Sequence, residues 1–221
     1  MKKAFLSYLF APSFYLTLWG ALLAVVLIFF PEQKFSITTD GQIIDIITYT
    51  GYILMILTMF YVRKDFKGKM FEWVMYLLLG IAALLREAGI QHHLTNSDTT
   101  PFKSRFFLNP NNPISEKLIF GAVLLIIFGI LLYFAVKYAK HLIVSFFKCN
   151  TISWSIASFC SVLIFAKFAD RFPSHWRHAH NNYISQDFID IWSLLEESSE
   201  MFLPYLVIII FLQYHLIKKK A

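Results

Sequence analysis

Long apolar runs separated by short polar stretches dominate the chain. Six runs approach the roughly 20 residues that a helix needs to cross a bilayer. They cover 14–30, 43–62, 70–86, 118–137, 151–168 and 199–217. None alternates apolar and polar residues as a membrane barrel strand does. A backbone in lipid must satisfy its own hydrogen bonds, so the runs are predicted to be helices. The expected fold is all-α: a polytopic membrane bundle of about six transmembrane helices in one integral-membrane domain, 1–221. The first run follows Met1-Lys2-Lys3 as a signal peptide would, but it ends at Phe29-Phe30-Pro31 without small cleavage-site residues. It is therefore expected to remain as an uncleaved span.

Composition agrees with this pattern. The chain is 57% hydrophobic and 15% charged, against about 25% charged in soluble domains. A water-soluble globule is excluded. Cys149 and Cys160 fall on one predicted helix, roughly 16 Å apart by helical rise, too far for a disulfide.

Charge gives the orientation. Six spans put both termini on one side, with twelve Lys and Arg and only two acids, Asp65 and Glu72. The other side holds eight Lys and Arg and twelve acids. Basic residues in short loops mark the cytoplasm, so both termini are expected to be cytoplasmic. The short basic clusters suit anionic lipid headgroups. Membrane lipids are the expected partners, and nucleic acid is not.

The loops 63–69 and 137–150 lie inside by this reading. Two longer loops, 86–117 and 167–200, lie outside. Loops of that length are commonly functional. The first carries Pro101-Phe102-Lys103-Ser104-Arg105-Phe106-Phe107, where aromatics and cations interleave as the headgroup layer favours. The second is predicted to form a helix ahead of the last span, capped by Asp187 with Asp190 in its first turn. Glu196, Glu197 and Glu200 sit near one face of it. Their mutual repulsion calls for a cation or a metal. Pro204 is placed to kink the helix at the bilayer entrance.

Candidate chemistry gathers where spans meet the outer loops. The third span ends in Arg86-Glu87, followed by His92-His93. The fifth ends in Lys167, Asp170 and Arg171, followed by His175, His178 and His180 in a predicted loop. Asp45 opens the second span. Only sixteen residues separate Lys69 from Arg86, which draws Arg86 and Glu87 inside the hydrocarbon border, where an unpaired charge is costly. Expected pairs are Arg86 with a glutamate of the last helix, Asp170 with Arg171 or Lys167, and Glu72 with Lys69 or a neighbouring cation.

Glu87, His92, Asp170 and Glu197 make a mixed nitrogen and oxygen donor set suited to zinc, manganese or iron. His93, His175, His178 and Glu200 are alternative donors. The same four residues are the candidate acids and bases, and Arg86, Lys103, Arg105 and Arg171 are candidates to bind phosphate. No H-E-x-x-H motif or Glu-x-x-His pair accompanies them. Ser153, Ser155, Ser158 and Ser161 fit close helix packing. Thr48, Tyr49, Thr50 and Tyr52 are expected to bond between helices.

Arg86-Glu87 through Gln91-His92, Asp98-Thr99-Thr100-Pro101-Phe102-Lys103, Arg105-Phe106-Phe107 and Asn109-Pro110 resemble a family of small polytopic bacterial inner-membrane proteins. Asp170-Arg171-Phe172-Pro173-Ser174 and Leu195-Glu196-Glu197 fit the same resemblance. It implies a bacterial inner (cytoplasmic) membrane location and carries no assigned activity. A distant likeness to membrane hydrolases of the alkaline ceramidase type implies zinc held by histidines and an aspartate. The H-x-x-x-H of a late span in those enzymes has no counterpart here.

The expected function is an outward-facing membrane enzyme acting on a lipid or lipid-linked headgroup, with a divalent metal as a candidate cofactor. The competing expectation is a membrane assembly factor or transporter subunit whose charges form a structural salt-bridge network.

Overall fold

A computed structural model describes residues 16, 19–21, 23–25, 28, 43–90, 94, 95, 101, 103–180 and 185–219. Side chains are described for these except 43 and 178–180. The described residues are helical with short turns and no strands. The helices are α1 (Ile43–Tyr61), α2 (Met70–Glu87), α3 (Ser104–Leu108), α4 (Ile114–Phe147), α5 (Thr151–His180) and α6 (Gln186–Lys218). A 3-10 turn, Val62–Phe66, follows α1. Among the described residues four helical segments are long and apolar enough to cross a membrane: Ile44–Phe66, Ile114–Phe147, Thr151–Arg177 and Gln186–Lys218. The protein is thus an all-helical, multi-pass membrane protein. The predicted span 70–86 forms α2, but Glu72, Arg86 and Glu87 lie within its 18 residues. Much of the run 14–30 lies outside the described residues.

Helices run well past the predicted span ends. The presumed loop 137–150 is mostly α4; within 167–200 the helix expected ahead of the last span is present as the start of α6, and α5 also continues to His180. Hydropathy marks where lipid contact ends, whereas backbone hydrogen bonding continues for as long as the helix finds packing partners. Thus positions 175–180 are helical, not a chelating loop. Ser185, not Asp187, caps α6, its hydroxyl accepting from the Phe188 N–H at 3.3 Å. Asp187 lies in the first turn, where it complements the helix dipole. Asn150 opens α5 in the same way, its Oδ1 accepting from the Ile152 N–H at 3.0 Å. Gly89, at φ 64°, follows the end of α2 in a conformation that side chains disfavour.

The chain divides into two compact units, Met1–Asp65 with Lys148–Ala221, and Phe66–Phe147. In the first, α6 packs against both α5 and α1. Partner positions on α5 and α6 run in opposite order, Ser155 with Gln213, Lys167 with Glu200 and Phe172 with Trp192, so these helices are antiparallel. On α1 and α6 they run in the same order, Ile47 with Tyr205 and Tyr61 with His215, so these are parallel. Val162, Leu203, Leu206 and Ile209 form the core, with Leu16, Phe159 and Phe202 against it. Trp19 stacks on Phe202 at 6.1 Å.

The α1–α6 contact is closest at Gly51. A Cβ built there would lie 2.8 Å from Tyr205 Cε2 and 2.9 Å from Pro204 Cγ. Only glycine permits this approach, as in other membrane helix pairs. Next to it the Tyr205 hydroxyl donates to the Ile47 carbonyl at 2.9 Å. Thr48 and Thr50, expected to bond between helices, instead donate to Ile44 and Ile46 carbonyls of their own helix. A hydroxyl four residues after a carbonyl reaches it without help from a neighbour.

In the second unit α2 and α4 are antiparallel, pairing Glu72 with Lys137 and Tyr76 with Phe134. The short α3 docks beside the start of α4, with Phe106 fully buried in an edge contact with Phe120. The Asn112 side-chain amide donates to the Phe106 carbonyl at 2.8 Å and the Lys117 ammonium to the Asn109 carbonyl at 2.6 Å.

Candidate functional site

The C-terminal part of α5 and the N-terminal part of α6 form a polar site among the described residues. Apolar windows end near Ala166 on α5 and Met201 on α6, yet both helices continue beyond them. The resulting hairpin carries a cleft of about 250 Å³. Ala169, Pro173 and Ile189 supply its apolar walls, and Asp170, Ser174, Arg177, Ser193 and Glu196 its polar atoms. On α5 the polar positions 170, 174 and 177 step by four and three. On α6 the lining positions 189, 193 and 196 step the same way. Both sets keep one helical face. Asp170 and Arg177 are exposed and Glu196 is half-buried. Two carboxylates, two hydroxyls and a guanidinium at one opening can engage a ligand that bears both an ammonium and an anionic group.

Below the cleft, the Lys167 ammonium donates to Glu200 Oε1 at 2.6 Å. This replaces the expected pairing of Lys167 with Asp170. A lysine three residues before an aspartate can reach it, but Glu200 is presented across the helix interface with its side chain only 13% exposed. A shielded carboxylate benefits more from a cation than an exposed one does. Asp170 is thereby left to the cleft. Glu197 is half-buried and does not line it. Asp190 is buried and accepts from the Gln186 amide at 2.8 Å.

The other sequence candidates are distributed as follows. Arg86 is exposed and Glu87 half-buried at the C-terminal end of α2, in the second unit. Lys103 and Arg105 are exposed around α3, while Phe106, next after Arg105, is buried. Arg171 and His175 are exposed on α5, and Asp45 is half-buried in the first turn of α1. His92 and His93 lie outside the described residues, as does the side chain of His178. Among the described residues no group of three or more His, Cys, Asp or Glu could hold a metal ion.

Two further charge pairs join helices. Glu72, buried, accepts from the Lys137 ammonium at 2.6 Å and from the Tyr138 hydroxyl at 2.5 Å. The expected neighbouring cation is thus Lys137, supplied by α4. His215 Nδ1 and Asp65 Oδ2 lie 2.5 Å apart, linking α6 to the turn after α1, and the Lys218 ammonium donates to the Asp65 carbonyl. Ser153, Ser155 and Ser158 are buried in packing positions. Ser155 donates to Gln213 Oε1 at 2.8 Å, a polar link between α5 and α6. Cys149 and Cys160 are free and exposed.

No family model, curated protein or solved structure matches the chain. The reading of function therefore rests on the geometry.

Proposed function

We propose that the protein is a bacterial inner-membrane protein, both termini cytoplasmic, whose outward α5–α6 hairpin binds the polar headgroup of a lipid or lipid-linked molecule. The cleft of Asp170, Ser174, Arg177, Ser193 and Glu196 carries this reading, because it opens on helices continuous with the bilayer-spanning segments. Asp170 and Glu196 bind the cationic part and Arg177 the phosphate, with Arg171 nearby. Lys103 and Arg105, exposed around α3, are separate candidates to meet lipid phosphates in their own unit. The test is binding of phosphatidylethanolamine and phosphatidylglycerol by the purified full chain in nanodiscs, read by native mass spectrometry. A charged hydrogen bond contributes about 1.5–3 kcal/mol, so Asp170→Asn with Glu196→Gln should weaken amine-lipid binding by at least about tenfold. Unchanged binding would sink the reading.

A metal-assisted enzyme is the narrower form of this proposal. In it Asp170 and Glu197, both on the α5–α6 hairpin, serve as acid and base beside a divalent ion. Elemental analysis of the purified protein, and of Asp170→Ala and Glu197→Ala, tests it. A metal-free wild-type protein removes this form and leaves headgroup binding in place.

A second reading is a non-enzymatic assembly factor or transporter subunit. It is favoured by the three ion pairs Lys167–Glu200, Lys137–Glu72 and His215–Asp65, each of which ties two helical segments together. Co-purification of a stoichiometric membrane partner, with no lipid preference, would select it.

A further inference from the structure

The α5–α6 hairpin has a second edge, built of rings. Phe168, Phe172 and Trp176 follow one another at four-residue intervals on α5, and Phe188 and Trp192 do so on α6. They interlock across the helix pair: Phe172 lies 4.3 Å from Trp192, and Trp176 lies 6.2 Å from Phe188, centroid to centroid. The ladder is not closed over, since Phe168 is 51% and Trp176 41% exposed. One turn earlier on the same face of α5 stands Ile164, 70% exposed within an apolar span. The lipid-facing stripe of the span thus runs without interruption into the ladder. Arg171 and His175, both exposed, adjoin Phe172 and Trp176 along the chain. Aromatic rings with cations at their margin are the composition that the membrane interface favours. An open apolar edge of this kind in water would instead be an association hazard.

We infer that this aromatic edge lies in the interfacial layer of the leaflet nearest the α5–α6 turn, so that the hairpin leans on lipid. Pro173 and Pro204 each remove one helical hydrogen bond, at points where such a lean can be accommodated. Leaning on the ladder turns Ser174 and the cleft toward water. Positions 174 and 176 differ by only about 3 Å in helical rise but lie on opposite sides of α5, so the lean separates them by environment and not by height along the helix.

The experiment uses the full chain with Cys149→Ser and Cys160→Ser, reconstituted in phosphatidylethanolamine–phosphatidylglycerol vesicles. A nitroxide is placed at Trp176→Cys or at Ser174→Cys, and its collisions with oxygen and with a water-soluble nickel complex are measured by electron paramagnetic resonance. The oxygen-to-nickel ratio should be several-fold higher at 176 than at 174, approaching the value at Ile164→Cys. A label at Phe168→Cys gives the same reading with Trp176 intact. Equal access of the nickel complex at 174 and 176 would place the hairpin upright in water and overturn the inference. Exclusion of both reagents at 168 and 176 would also overturn it, marking a covering protein or a second copy of the chain.

Discussion

Lys167 and Glu200 show what one contact contributes at the margin of a bilayer. The lysine is 42% exposed and the glutamate 13%, so solvent and headgroups share the cation but not the carboxylate. Exposure of one partner keeps the interaction well below that of a fully buried pair. A double-mutant cycle of Lys167→Met and Glu200→Gln, followed by unfolding in detergent, should give a coupling of about 1 kcal/mol. A value indistinguishable from zero would mean that the pair does not hold the hairpin. The same residues show why partners are hard to assign from spacing. Asp170 is three positions from Lys167, yet the carboxylate that needs the cation lies 33 positions away. Burial selects the partner, and burial is a property of the packed helices.

At the scale of elements, the contact between α1 and α6 depends on a missing side chain. Gly51→Ala brings a methyl to 2.8 Å and 2.9 Å from ring atoms of Tyr205 and Pro204, and Pro204 is fully buried and cannot swing away. Overpacking of this kind costs about 1–3 kcal/mol. Gly129→Ala on α4 meets nothing within 4 Å and should be neutral or stabilising by up to about 1 kcal/mol. Thermal unfolding in one detergent compares the two directly. Equal effects would contradict the close approach at Gly51. Helix content and most span positions could be read from apolar runs, because a lipid-facing segment must be both long and apolar. Helix ends could not. The charges of residues 168–180 look like the onset of a loop, whereas the helix at 186–200 is expected from the acids of its first turn. With the segment after Arg171 read as a loop, the four-and-three spacing of 170, 174 and 177 has no face to occupy. Asp170 and Glu196 stood out by charge alone. Arg177, Ser174 and Ser193 acquire a shared role only once α5 is seen to continue beside α6.

At the scale of the whole molecule, the distribution of charge makes a prediction that one helix can decide. The side assigned to the termini carries twelve cations and two acids, and the other eight cations and twelve acids. α5 connects them. Cys149 stands just before its start, free and exposed, and Ser174 lies 25 residues later in the cleft. At 1.5 Å per residue they are about 37 Å apart along the helix, more than the roughly 30 Å hydrocarbon layer. A membrane-impermeant maleimide added to intact cells should leave Cys149 unmodified in Cys160→Ser, and should modify it in inside-out vesicles. Ser174→Cys in the cysteine-free background should show the reverse. Since α5 is antiparallel to α6, which is parallel to α1, the result also fixes the direction of all three helices. The opposite labelling pattern would invert the orientation, moving the cleft to the cytoplasm and the cations at the far helix ends, Arg63 and Lys218, to the outer face. Modification of both cysteines from one side would mean that α5 does not cross, and a headgroup site built on its continuity with the bilayer would lose its foundation.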